Sequence, residues 1–196
     1  MGKIVISANA TLDGVVQDPD GQEGFELGGW FRRSVGDTDL ADWVARETEE
    51  VLGAAALLLG RRSCEWFAAR MPSSEVRVSR DWADRMNSIP KYVVSSTLEH
   101  PEWSNVTVLN GDAAKEISEL KRRVDGEILV YGSYQLVRTL IDQNLADELR
   151  LVIFPVVLGT GVRLFDETSD KKPLHLVDAR KMGEGLLFCT YEFAQG

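Results

Sequence analysis

The sequence has only two cysteines among its 196 residues, Cys64 and Cys189, and they lie far apart in the chain. Two isolated thiols provide neither the paired spacing of a zinc site nor a disulfide framework. No apolar run approaches the roughly 20 residues that cross a bilayer, and the opening segment lacks the apolar core of a signal peptide. The composition therefore predicts a cytoplasmic protein without a membrane-spanning segment or a metal site.

Basic residues are also in deficit, with 22 Lys and Arg against 31 Asp and Glu and a net charge of -9 at pH 7. A protein needs a basic face to bind nucleic acid without sequence preference or to bind an anionic membrane. The acidic charge balance therefore excludes both classes of protein. A small anionic ligand in a local basic pocket is still compatible with the charge. The length predicts a single domain over residues 1–196.

Apolar periodicity predicts strands and helices that alternate over most of the chain. The predicted strands cover residues 3–10, 55–59, 90–96, 106–109, 127–131 and 149–157, and the predicted helices cover 39–52, 60–70, 81–87, 113–124 and 134–143. Two late strands, 174–177 and 185–193, follow without a helix between them. This pattern predicts an α/β fold with a mostly parallel central sheet, flanking helices and an antiparallel C-terminal edge.

Two details of this prediction concern the first third of the chain. Thr38 or Asp39 is the expected N-cap of the helix over residues 39–52. Residues 17–29 contain four glycines and several acids, so they predict a long loop of the kind that often covers a functional site.

Three turns that follow predicted strands carry groups suited to an anion. They are Gly60-Arg61-Arg62-Ser63, Ser95-Ser96-Thr97 and Gly132-Ser133. Ligands of open α/β sheets bind at the carboxyl ends of strands, where helix N-termini offer N–H donors, and a guanidinium can bind a phosphate in a bidentate way. Each turn alone is explained as well by ordinary turn chemistry. Together they favour a phosphate-bearing cofactor.

Five segments resemble one family in the same order along the chain. They are SANATLDG at 7–14, LLGRRS at 58–63, PKYVVSSTL at 90–98, LVYGS at 129–133 and PVVLG at 155–159. The chain resembles the dihydrofolate reductase superfamily, and more closely the reductase domain of the bifunctional deaminase-reductase of riboflavin biosynthesis. The resemblance implies a dihydrofolate reductase-like fold, an NADPH-dependent reductase and a homodimer.

The resemblance also assigns cofactor-binding residues. It implies that Gly60, Arg61, Arg62, Ser63, Ser95 and Ser96 hold the 2′-phosphate and the adenosine ribose, with Arg61 and Ser95 distinguishing NADPH from NADH. Gly132 and Ser133, followed by Tyr134, Gln135 and Leu136, would bind the pyrophosphate. Ala8, Asn9 and Gly14 would lie beside the nicotinamide ring.

Asp13 is the expected catalytic residue, because the turn chemistry and the resemblance both place it after the first strand. It would position the substrate or help to deliver a proton, although Asp is equally favoured there as a turn residue. If the substrate carries a phosphate, Arg32, Arg33 or Arg163 would bind it. Trp30 is a further candidate for substrate contact.

Two departures from the family pattern bear on the substrate. The Gly28-Gly29-Trp30-Phe31 segment lacks the proline and the adjacent acid of dihydrofolate reductases, which argues against folate reduction. Ser133 replaces the second glycine of the usual pyrophosphate pair. Pteridine reduction, a non-catalytic nucleotide-binding protein of this fold and a structural interaction domain stay open as alternatives.

Overall fold

The computed structural model describes residues 1–71, 79–165 and 170–194, and helices and strands alternate through them. The elements are β1 (Lys3–Thr11), α1 (Trp30–Arg33), α2 (Asp37–Gly53), β2 (Ala56–Gly60), α3 (Arg61–Arg70), α4 (Arg80–Ser88), β3 (Lys91–Val94), β4 (Val106–Leu109), α5 (Ala113–Arg123), β5 (Glu127–Tyr131), α6 (Tyr134–Asp142), β6 (Glu148–Phe154), β7 (Leu174–Met182) and β8 (Leu186–Phe193). Every strand and helix predicted from periodicity is confirmed; β4 and β5 have the predicted bounds, and the other elements have one or both ends shifted. In these described ranges, no helix combines the length and the apolar character needed to cross a membrane.

The strands form an eight-stranded sheet in the order β4-β3-β2-β5-β1-β6-β8-β7. The ladders of β2 with β3, β2 with β5 and β3 with β4 are parallel. The ladders of β6 with β8 and β7 with β8 are antiparallel. The predicted α/β fold with a parallel sheet and an antiparallel C-terminal edge is therefore confirmed.

The chain divides into two compact units. The first comprises Met1–Ile6 and Val44–Asp147, and the second comprises Ser7–Trp43 and Glu148–Gly196. The core of the first unit packs apolar residues of β2, β3 and β5 against α3 and α4, and it includes Leu57, Leu59, Val93, Leu129, Cys64 and Met86. The core of the second unit packs α1 against β6 and the β7–β8 hairpin, and it includes Trp30, Val152, Phe154, Met182, Leu186 and Phe188.

Helix α2 begins two residues earlier than its predicted start, so neither Thr38 nor Asp39 is its N-cap. Asp39 lies in the first turn, where its carboxylate accepts the Gly36 N–H at 3.1 Å. The same carboxylate accepts the N–H groups of Glu184 at 2.6 Å and Gly185 at 2.9 Å. Asp39 therefore ties the start of α2 to the turn of the β7–β8 hairpin.

Two strand ends and one short helix differ from the prediction for identifiable reasons. β6 ends at Phe154 rather than at residue 157, because Pro155 has no N–H to donate to a ladder. β7 continues to Met182 rather than ending at residue 177. Its second half is charged and lacks apolar alternation, but backbone pairing with β8 keeps it in the sheet. The short helix α1 was not predicted, since four residues carry too little periodicity.

The segment 17–29 contains neither a helix nor a strand, as predicted, and it is organised around Asp18. The buried Asp18 carboxylate accepts the N–H groups of Gln22 at 2.7 Å, Glu23 at 3.0 Å and Phe25 at 3.0 Å. Burial disfavours its charge, but these three donors outweigh burial and lower the pKa of Asp18. An ionised carboxylate at the centre of the loop therefore determines the loop conformation.

Candidate cofactor site

The turns after β2 and β5 leave the sheet at the same edge, because these strands are parallel and pair Leu57 with Leu129. Helix α3 begins immediately after β2, and α6 begins three residues after β5 ends. The N-cap residues are Gly60 for α3 and Ser133 for α6, and among the described residues neither makes a side-chain hydrogen bond that caps its helix. Both helix N-termini therefore keep the N–H donors and partial positive charge that bind anions.

Hydrogen bonds of Ser133 join these two turns. Its hydroxyl accepts the Gly60 N–H at 2.9 Å and donates to the Tyr131 carbonyl at 3.2 Å. Its own N–H donates to the Ser63 hydroxyl at 3.0 Å. The serine that replaces the second glycine of the family pattern therefore links the N-termini of α3 and α6.

The backbone of this turn explains why Gly132 is a glycine. Gly132 has a φ of 55° and Ser133 one of 56°, both in the left-handed region. A β carbon on residue 132 would lie 3.1 Å from the Ser63 hydroxyl oxygen. The absent side chain leaves the backbone of the turn open for close approach, which fits a phosphate group.

The predicted 2′-phosphate residues leave neighbouring strands, since Gly60 pairs with Val94 in the parallel β2–β3 ladder. Arg61 and Ser95 follow these two positions directly. The Arg61 guanidinium is half exposed and lies 3.5 Å from Glu65, an exposed ion pair of small energetic value. The Ser95 hydroxyl oxygen accepts the N–H groups of Thr97 and Leu98, which leaves its O–H as a donor.

The first unit thus brings together most of the predicted cofactor residues at one sheet edge. They are Gly60, Arg61, Arg62, Ser63, Ser95, Ser96, Gly132, Ser133, Tyr134, Gln135 and Leu136. Arg62 and Ser96 are exposed, and Gly132 is open to solvent. The Leu136 side chain is buried in the core, so only its backbone N–H is suited to bind a ligand.

Asp13, the expected catalytic residue, lies in the second unit and is held by several donors. One carboxylate oxygen accepts the Thr11 hydroxyl at 2.7 Å and the Leu158 N–H at 3.2 Å, and the other accepts the Gly159 N–H at 2.8 Å. The Thr11 hydrogen bond, supported by those of Gly159 and Leu158, lowers the pKa of Asp13. An ionised, hydrogen-bonded carboxylate favours a positioning role over the donation of a proton.

Arg163 and Gly14 belong to the same part of the second unit. The Arg163 guanidinium donates to the Asp13 carbonyl at 3.1 Å and lies 3.8 Å from the Asp13 carboxylate. Gly14 has a φ of 83°, and its carbonyl accepts the Leu164 N–H at 2.9 Å. These contacts hold the segment after β1 against the segment 158–164.

The other predicted residues of the second unit differ in exposure. Ala8 and Asn9 are half-buried on β1, and Arg32 is exposed on α1. Trp30 is only 2% exposed; its ring packs edge-to-face on Phe154 at 5.3 Å, and its indole N–H donates to the Gln17 carbonyl at 2.8 Å. The Trp30 side chain is therefore committed to the core.

A buried ionisable cluster next to the β5–α6 turn was not predicted. Glu47 and Glu50 of α2 are 6% and 3% exposed, and the Arg46 guanidinium lies 2.6 Å from Glu50. The Tyr131 hydroxyl, at the end of β5, lies 3.5 Å from the Glu50 carboxylate and 3.4 Å from the Glu47 carbonyl. Glu47 falls between Trp43 and Val51 on the apolar stripe of α2, and this position was the available sequence signal.

The environment of this cluster determines its charge. Burial, reinforced by the neighbouring Glu50 charge, raises the pKa of Glu47 to about 8. Burial and the nearby Glu47 raise the pKa of Tyr131 well above its usual value. At neutral pH, Glu47 therefore holds a proton while Glu50 is paired with Arg46. Across the described ranges, no group of three or more His, Cys, Asp or Glu side chains is placed to bind a metal ion.

Comparison with known proteins connects this geometry to a family. The model of the family described as RibD C-terminal domain matches residues 2–188. The uncharacterized protein YyaP of Bacillus subtilis strain 168 is 26% identical over 192 residues, which cover 97% of this chain and 95% of YyaP.

Two solved structures share the fold. A Shewanella sp. PV-4 protein, whose name places it in riboflavin biosynthesis, has a TM-score of 0.75 at 18% identity, covering 98% of this chain and 99% of that one. Dihydrofolate reductase from Enterococcus faecalis, complexed with NADP(H), has a TM-score of 0.57 at 16% identity, with 98% and 97% of the chains covered. The fold that the sequence resemblance implied is confirmed, and the chain belongs to the RibD C-terminal domain family.

Proposed function

We propose that the protein is a cytoplasmic NADPH-dependent reductase, with the whole chain acting as one reductase domain. Its substrate is a small heterocyclic or ribosyl compound, of the type of the riboflavin precursor 5-amino-6-(5-phosphoribosylamino)uracil. The observation that carries the proposal is the pair of helix N-termini, α3 and α6, joined through Ser133 at the ends of parallel strands. Family membership supports the same reaction class.

The first unit supplies the groups that a phosphorylated dinucleotide needs. The open backbone at Gly132 and the first-turn N–H groups of α6 suit the pyrophosphate. Arg61 and Ser95 suit the 2′-phosphate, since a guanidinium and a hydroxyl on neighbouring strand ends both donate. This pair would distinguish NADPH from NADH.

The second unit carries the residues that the family resemblance assigns to the reaction. Bound NADPH supplies a hydride from C4 of its nicotinamide ring. Ala8, Asn9 and Gly14 would orient this ring, and Arg32 and Arg163 would bind an anionic substrate group. Asp13 would help to position the substrate by holding residues 158 and 159 in place.

A homodimer is part of the proposal. The edge strand β7 and its partner β8 expose three large apolar side chains: Leu176, Val177 and Leu187 are 58%, 57% and 41% exposed. An exposed edge strand with apolar side chains favours pairing with another chain. Sedimentation equilibrium of the protein and of Leu176→Lys tests this assembly: a wild-type monomer would contradict it.

The cofactor assignment is tested by Arg61→Ala. Loss of a charge-assisted contact with the 2′-phosphate should weaken NADPH binding about 10- to 150-fold and leave NADH binding nearly unchanged. Arg70→Ala is the matched control, because it removes the same charge from the other end of α3, where Arg70 stacks 4.1 Å above Trp66. Equal losses for both cofactors would show that Arg61 has only a structural role.

The reductase assignment needs a substrate. Stopped-flow loss of the reduced-nicotinamide absorbance with 5-amino-6-(5-phosphoribosylamino)uracil and with dihydrofolate separates the proposed reaction from pteridine reduction. Tight NADPH binding without turnover of any heterocyclic substrate would support the non-catalytic alternative.

A further inference from the structure

Asn9 lies on a polar row of β1 within the second unit. Ser7, Asn9 and Thr11 share one face of the strand, because alternate residues point to the same side. Ser7 and Thr11 are buried, whereas Asn9 is half-buried. Asn9 is therefore the member of this row that a ligand can reach.

The Asn9 amide has a defined orientation. The Trp43 indole nitrogen lies 3.0 Å from the Asn9 side-chain oxygen. An indole N–H can only donate, so the atom that faces it must be the amide oxygen rather than the nitrogen. The accessible group is then the Asn9 NH₂, which can donate but cannot accept.

The indole is itself held in place. Phe31 packs edge-to-face on Trp43, with ring centroids 4.7 Å apart, and Phe31 also contacts Phe154 at 4.9 Å. Both partners are aromatic rings anchored in the core of the second unit. The chain of contacts from Phe154 through Phe31 to Trp43 therefore limits rotation of the Asn9 amide.

We propose that Trp43 is a positioning residue that makes Asn9 a donor-only group, and that Asn9 donates to a carbonyl oxygen of the bound reactants. The proposal rests on the proposed function, and two sources of that oxygen share the same chemistry. One is the carboxamide of the nicotinamide ring, and the other is a ring carbonyl of the heterocyclic substrate.

Asn9→Asp is the primary test, since it is isosteric, still accepts the Trp43 indole N–H and replaces the donor by an acceptor. If the oxygen belongs to the cofactor, the substitution should weaken NADPH binding at least about tenfold, because two acceptors then face each other. Binding of 2′-phospho-ADP-ribose, which lacks the nicotinamide, should be unchanged. Both affinities are measured by calorimetric titration.

If the oxygen belongs to the substrate, NADPH binding should be unchanged in Asn9→Asp. The affinity of the protein saturated with NADP⁺ for 5,6-diaminouracil, a carbonyl-bearing probe, should then fall at least about tenfold. Unchanged affinity for NADPH and for 5,6-diaminouracil would overturn the proposal. Failure of wild-type protein to bind 2′-phospho-ADP-ribose would instead contradict the proposed function.

Trp43→Phe separates positioning from packing. It keeps an aromatic ring against Phe31 and removes the N–H donor together with part of the ring. We expect an affinity loss of about threefold for whichever ligand Asn9 binds, and no further loss when Trp43→Phe is added to Asn9→Asp. Additive losses in the double variant would show that Trp43 acts by packing alone.

A spectroscopic readout does not depend on turnover. The Asn9 side-chain NH₂ pair, assigned by its absence from the Asn9→Asp spectrum, should give one sharp pair of ¹H–¹⁵N signals in the wild type. Ligand binding should shift this pair, and Trp43→Phe should broaden it as the amide gains freedom. A pair that neither ligand nor Trp43→Phe changes would contradict the proposal.

Discussion

Replacing Glu47 by glutamine should change how the stability of the protein depends on pH. Burial and the neighbouring Glu50 raise the pKa of Glu47 from 4.5 to about 8 in the folded protein. Between these two values, the folded state keeps a proton that the unfolded state releases. The stabilisation linked to this proton is complete below about pH 4.5 and is lost as the pH rises to about 8.

The magnitude follows from proton linkage. One proton held only by the folded state changes the free energy of unfolding by about 1.4 kcal/mol per pH unit. Because the folded group is already half titrated at about pH 8, wild-type protein should lose about 3.5 kcal/mol from this group between about pH 5 and about pH 8. A glutamine side chain at this position does not titrate, and its amide oxygen can still accept the hydrogen bond that the Tyr131 hydroxyl donates to the Glu47 carboxyl group, so Glu47→Gln should avoid this loss.

Urea unfolding at intervals across this pH range measures the effect. Glu49→Gln is the matched control, because it removes a carboxylate from the same helix at a side chain that is 77% exposed. Its stability profile should run parallel to that of the wild type, while the Glu47→Gln profile should converge on or cross above it toward pH 8. Parallel profiles for all three proteins would refute the argument that Glu47 is protonated when folded.

Three further predictions concern single contacts. Gly132→Val should abolish binding of NADPH and NADH while unfolding stays cooperative, since a β-branched residue is strained at a φ of 55° and would block the proposed pyrophosphate site. Calorimetric titration that finds normal binding would place the cofactor elsewhere. Asp13→Asn should lose about 1 to 3 kcal/mol of stability, because an NH₂ then faces a backbone N–H. It should also lose at least about tenfold in hydride-transfer rate, because the residues that Asp13 holds would no longer position the substrate. Wild-type turnover with a lowered Tm would leave Asp13 a structural role. Lys91→Met should lower the free energy of unfolding in urea by about 2 to 4 kcal/mol. The reason is that the fully buried Lys91 ammonium donates to the carbonyls of Asn87, Ile89 and Ser104. Unchanged stability would show that these carbonyls find other donors.

Local patterning was sufficient to predict the order of elements and the turns that hold the candidate cofactor residues. Apolar period distinguishes helix from strand once an element spans more than about one turn, so β5 and α6 could be located from residues 127–143 alone. The alternation of strands and helices then implied a parallel sheet, and a parallel sheet brings successive strand ends to one edge. That Arg61, Ser95 and Gly132 share this edge was therefore predictable.

The contacts that give these residues their chemistry depend on tertiary structure. Ser133 and Ser63 are 70 positions apart, Asp13 and Leu158 are 145 apart, and the Trp43 indole reaches Asn9 across 34 positions. Periodicity identifies the buried face of an element, but it contains no information on which distant group that face will meet. Burial of Glu47 beside the Glu50 charge raises its pKa, and the donors of residues 158 and 159 help to keep Asp13 ionised. A carboxylate has the same sequence letter in either charge state, and only its folded surroundings determine which state it adopts.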